Sequence, residues 1–104
     1  MSGKVDLEKA RREELRWMIL RSLYAAQPVG ASEAIIRNAI DPCIPDLTIT
    51  ELRRELDYLA DRGLLTISER DRPIWFAKIN WHGVQIVEYN DDCLPGIARP
   101  KVWW

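Results

Sequence analysis

The apolar residues of this chain change their spacing at Gly63, and that change limits the folds open to it. Before it, Leu52, Leu56 and Leu59 recur at intervals of four and three, the period of one helix face. After it, Leu64-Leu65-Thr66-Ile67-Ser68 and Ile74-Trp75-Phe76-Ala77-Lys78-Ile79 read as strands. The polar turn Glu69-Arg70-Asp71-Arg72-Pro73 separates them, and a linker of that length suits a hairpin. Gly63 supplies the carboxyl-terminal stop of the helix, with Arg62 in a last turn whose dipole favours a cation. A helix that feeds into a hairpin makes the chain α+β.

Residues 4–27 read as a first helix, which Pro28 and Gly30 end. Leu15, Ile19, Leu23 and Ala26 form its apolar stripe, widened by Met18 and Ser22. Trp17, Leu20 and Tyr24 lie off the centre. So broad a surface implies more than one neighbour, through internal packing or a dimer contact. Ser32 caps a second helix, Glu33 to Ile40, whose apolar face is Ala34, Ile35, Ala39 and Ile40. Asp41-Pro42 ends it. Thr48-Ile49 reads as a very short strand. Thr50 then caps the third helix, and Arg53 stands where a capping box needs Glu. After the hairpin, Asn80 caps a final helix from Trp81 to Tyr89, with Val84, Ile86 and Val87 inward and Gly83 weakening the first turn. Residues 4–90 form one domain. Residues 91–104 contain Pro95, Gly96 and Pro100, end in Trp103-Trp104 and read as an extended carboxyl-terminal arm.

Composition removes several function classes. A chain of 104 residues supports one core. Lys plus Arg is 15 against 16 for Asp plus Glu, a net charge of -1, which argues against a nonspecific basic coat protein but leaves room for a local positive face. Cys43 and Cys93 make neither a disulfide framework nor a zinc site, and each reads as a small hydrophobe, Cys93 the more exposed. His82, the sole histidine, has no nucleophile placed beside it and reads as a surface residue. No Gly-rich phosphate loop is present. The chain therefore reads as non-enzymatic, without catalytic residues, metal or cofactor. It lacks an apolar signal stretch and a membrane-length apolar run, so a soluble, cytoplasmic protein with no membrane partner is expected.

The run Thr-Glu-Leu-Arg-Arg-Glu-Leu-Asp-Tyr-Leu-Ala-Asp-Arg-Gly-Leu-Leu, residues 50–65, resembles the third helix and the start of the wing in the winged helix-turn-helix superfamily. Ile79-Asn80-Trp81-His82-Gly83 resembles the return from wing to carboxyl-terminal helix in such regulators. The whole chain, with its ending Cys-Leu-Pro-Gly-Ile-Ala-Arg-Pro-Lys, is similar to small proteins of Mu-like bacteriophages and prophages. These resemblances imply three helices plus a two-stranded wing. They also imply a third helix that reads duplex DNA, and a small phage or prophage transcriptional regulator.

With the leucines inward, the outer face of the third helix holds Glu51, Arg53, Arg54, Asp57, Tyr58 and Asp61. Arg53 or Arg54 would donate a bidentate pair to guanine, and Thr48 and Thr50 would bond phosphate. Tyr58 would pack on sugar, and Arg70 and Arg72 would reach the flanking minor groove or backbone. Arg11, Arg12, Arg16 and Arg21 join them only if the fold turns them to the same side. Charge opposes this: residues 50–62 hold three Arg against four acids, and Arg53 and Asp57 stand at i,i+4, where they would pair. A homodimer would double the contacts, with Trp17, Tyr24, Trp103 and Trp104 as interface candidates. The alternative is a protein-interaction or assembly module that meets a phage or host protein through the Trp-rich tail. In that case Trp75 sits in the core and Trp81 covers the core's end.

Overall fold

The computed structural model describes residues 6–102; Met1–Val5, Trp103 and Trp104 lie outside them. Asp6 caps α1 (Leu7–Ala25) by accepting from the Lys9 amide at 3.0 Å. Leu15, Trp17, Ile19, Leu20 and Leu23 of this helix are all buried, so the buried surface is wider than the expected stripe. The chain then turns through Gly30 into β1 (Ala31–Ser32) and α2 (Glu33–Ile40). The Ser32 hydroxyl accepts from the Ile35 amide at 3.3 Å, as its position before the helix implies.

The inward face of α2 differs from expectation. Glu33, Ile36 and Ile40 point inward at i, i+3 and i+7, while Ala34, Ile35 and Ala39 are exposed. The buried Glu33 carboxylate sets that phase, because its partner lies on the next helix. The connecting loop is anchored by Ile44 and Leu47, and Cys43 is exposed beside them rather than buried.

The third helix, α3 (Ile49–Asp61), starts two residues earlier than its sequence implied. Thr48, not Thr50, is the cap; its hydroxyl accepts from the Glu51 amide at 3.1 Å. Thr48-Ile49 is therefore no strand. Thr48-x-x-Glu51 has the residues of a capping box, but the Glu51 carboxylate turns to α1 and leaves the reciprocal bond unmade. Gly63, at φ 75°, ends the helix in the left-handed region.

The sheet is antiparallel, open and three-stranded, in the order β1-β3-β2, where β2 is Leu65–Ser68 and β3 is Phe76–Ile79. Leu65 faces Ile79 and Ser68 faces Phe76 across the hairpin. The two residues of β1 pair with Ala77 and Phe76, a strand that the sequence pattern had hidden beside the Ser32 cap. Finally, α4 (Trp81–Val87) packs on α1 and the hairpin. Asn80 holds its cap position, but its side chain donates to the Gly63 carbonyl and accepts from Thr66 instead of capping. Trp81 stands 73% exposed, so it does not cover the core. The segment after α4 lies along the body: the Ala98 amide donates to Glu13, Arg99 donates to Ile86 and Asp91, and Ile97 enters the core. Among the described residues, four helices and this small sheet surround one core, and no helix is long and apolar enough to cross a membrane.

Candidate functional site

Leu52, Leu56 and Leu59 do turn inward, together with Glu55. The opposite stripe of α3 is then Thr50, Arg54, Asp57 and Asp61. Glu51 and Tyr58 flank it toward α1. Ile49 and Arg53 flank it toward α2 and the hairpin.

Arg53 is locked beneath the hairpin. Its guanidinium makes a bidentate pair with Glu33, at 2.7 and 2.6 Å, and donates to the Pro73 carbonyl at 3.0 Å. Glu33 is 3% exposed and also accepts from the Trp75 amide. The Arg53 hydrogen bonds hold the Glu33 carboxyl below the usual carboxylate range; burial opposes that shift, and the Trp75 amide adds to it. Releasing Arg53 to guanine would strand a buried carboxylate. The expected guanine contact from Arg53 is thus withdrawn. Neither partner of the expected Arg53–Asp57 pair takes the other: Asp57 bridges to Arg70 of the hairpin at 2.6 Å. The half-buried Trp75 indole lies between the two arginines, 4.6 Å from the Arg53 carbon and 4.8 Å from that of Arg70.

Tyr58 is equally committed. Arg16 and Arg62 stack on its ring at 3.5 and 3.6 Å, and its hydroxyl reaches the Pro95 carbonyl at 3.4 Å. Arg16 also pairs at 2.6 Å with Glu55, which is 1% exposed, and donates to Gly96. Arg11 makes a bidentate pair with Glu51. That bond lowers the Glu51 pKa, with burial opposing and Arg54 adding through space.

Five arginines remain whose side chains make no hydrogen bond or ion pair with the described residues: Arg12, Arg37, Arg54 and Arg72, and Arg21, which lies 6.0 Å from the Trp17 ring and away from α3. Arg12 and Arg54 line one open cleft between α1 and α3, together with Thr48 and Thr50. Glu8 lines it too. Arg37 borders the hollow on the other flank of α3, beside Pro73 and Ile74, and Arg72 stands in the neighbouring hollow with the same two residues. Thr48, Thr50 and Arg54 thus come together at the amino-terminal half of α3, while Arg72 stands apart on the hairpin. Arg53 and Tyr58 are spent inside the chain, and Arg70 is bridged to Asp57 at the surface. Arg37 was missed by the sequence reading, and its signal was its place on the outer face of α2, one turn before the loop.

The interface candidates divide. Trp17 is 5% exposed and meets Tyr89 edge-on with ring centroids 6.4 Å apart, so it packs within its own chain. Tyr24 donates to Glu88 at 2.6 Å. Trp103 and Trp104 lie outside the described residues. An apolar groove between α1 and α2 exposes Ile35, at 62%, among Ala25, Ala26, Ala31 and Ala39, with Arg21 on its rim. His82 lies 3.8 Å from Asp91 at the surface. Cys93 is half-buried, with its thiol against the Ile97 carbonyl, and burial pushes its pKa up. The exposures of the two cysteines are the reverse of those expected. The chain matches no family model, no curated protein and no solved structure.

Proposed function

We propose that this chain is a winged helix-turn-helix protein that binds duplex DNA mainly through the phosphates on either side of α3. The order of helices, with β1 laid against the hairpin, is the arrangement such a fold requires. The observation that carries the reading is the placing of unpaired arginines around the α3 amino-terminal half, Arg12 and Arg54 on one flank and Arg37 on the other, with Arg72 beyond Arg37 on the hairpin. Thr50 and the exposed helix start would add neutral donors. Sequence readout contracts, because Arg54 alone of the expected pair is free to meet a base edge. A regulator of this kind, phage-borne in line with its resemblance, would gain affinity by acting as a dimer.

The test is a salt titration against a labelled duplex. Four phosphates neutralised give a slope of log K against log salt of about −3.6 per protomer. Replacing Arg12 and Arg54 together with Ala is expected to reduce that slope by about half. Binding that ignores salt, or a double variant with the parent slope, removes the proposal. The exposed Ile35 favours a second reading, an assembly module that docks a protein on the α1–α2 groove; a chain with no duplex affinity at low salt points there instead.

A further inference from the structure

The Asp57–Arg70 bridge stands apart from the other ion pairs around α3. The Glu33 and Glu55 pairs have a nearly sealed carboxylate, and breaking them strands a buried charge. In the Asp57–Arg70 bridge both side chains are about half exposed, 45% and 48%. Such a bridge holds little stability, and an outside anion competes for it on nearly equal terms. Arg70 is also preset. Its guanidinium lies over the Trp75 ring, while its carbonyl accepts from the Trp75 indole N–H at 3.2 Å. The side chain is therefore held over the Trp75 ring by contacts that do not involve Asp57. There, Nη1 donates to one Asp57 oxygen at 2.6 Å, a charge-assisted bond of the kind arginine also makes to a phosphate oxygen. Asp57 also brings a negative charge to the middle of the stripe that Thr50 and Arg54 begin.

We infer that Asp57 occupies the place of a DNA phosphate on Arg70, so that the chain holds its own hairpin arginine back from the duplex. This rests on the DNA reading above. In the parent Asp57 keeps the Nη1 hydrogen bond; once that carboxylate charge is removed, a phosphodiester oxygen takes its place on Arg70. Asp57 thereby limits affinity: it adds its own repulsion and cancels one contact.

The experiment compares the parent, Asp57→Asn, Asp57→Glu, and Asp57→Asn combined with Arg70→Ala, on one random-sequence duplex across a salt series. Circular dichroism verifies that each variant is folded. Asp57→Asn is expected to steepen the salt slope by about 0.9, which is about eightfold tighter binding at 0.1 M if the curves converge at 1 M. Asp57→Glu, which keeps the charge, is expected to follow the parent, and the double variant to lose the added slope. A purely structural role for Asp57 moves none of these slopes in that pattern. An Asp57→Asn slope equal to the parent's overturns the inference. Steeper binding by Asp57→Asn while the Arg12 and Arg54 pair proves irrelevant sustains it and rejects the flanking-arginine reading. No binding by any variant rejects both.

Discussion

Glu33 shows what a single residue decides in this molecule. It opens α2, yet it is nearly sealed and serves three donors: two from Arg53 and the Trp75 amide. Nothing in the residues around it marks that role, because its partners lie 20 and 42 positions away. Its pKa is held below the ordinary 4.5, so the folded chain binds this proton less readily than the unfolded one. The stabilisation is complete above the ordinary carboxylate range and is lost as pH falls through the lowered folded value. Glu51, held down by Arg11, acts in the same direction. Glu33→Gln is expected to cost about 2 kcal/mol at pH 7, because Arg53 and the Trp75 amide lose a charged acceptor. It should also flatten part of the acid-induced fall in stability. Urea melts of both proteins between pH 7 and pH 3 check this; an unchanged acid limb would show that Glu33 is not the group responsible. The same residue accounts for the contraction of the proposed DNA site, since Arg53 cannot serve it and a base at once.

At the scale of elements, periodicity did well where one face is plainly apolar and badly where a charge belongs inside. The leucines of α3 fix its inward face, and the shift to period two fixes the hairpin. The face of α2 and the burial of Glu55 were illegible, because a buried carboxylate reads as a solvated one until its arginine is seen. The α3 start is a related case: Thr48 and Thr50 are both good caps, and only Leu47, buried just ahead of Thr48, decides between them. The α4 helix carries a further element-level demand. A glycine inside a helix ordinarily weakens it. Gly83 is required here, because α4 comes so close to the hairpin that a β-carbon would overlap the Leu64 carbonyl oxygen and press on Ile79. Gly83→Ala should therefore destabilise the chain by about 2 kcal/mol or more despite the higher helix propensity of alanine. Thermal denaturation of the variant measures it, and a stability gain would mean that α4 is free to move away from the hairpin.

At the scale of the whole molecule, the segment after α4 is a strap across the body. It crosses α1 at Glu13 and Arg16, touches Tyr58 of α3, and returns to the end of α4 through Arg99. Ile97, 8% exposed, is its anchor in the core. Ile97→Ala is expected to cost about 2–4 kcal/mol, and deletion of residues 93–104 to cost more. Guanidinium unfolding reads both, and a deletion with the parent midpoint would return the segment to the status of a loose arm. The prolines and glycine that gave it that look do not say where it lies. By itself the sequence determined the order of the four helices and of the β2–β3 hairpin, since spacing, caps and turn residues act over a few positions; it did not show β1. It also determined that the leucines of α3 face the core. Which charges are free was decided only in three dimensions. Arg53, Arg54, Arg70 and Arg72 are chemically alike along the chain, and an arginine becomes a structural tie or an open hand according to whether the fold brings a carboxylate within hydrogen-bonding reach of it.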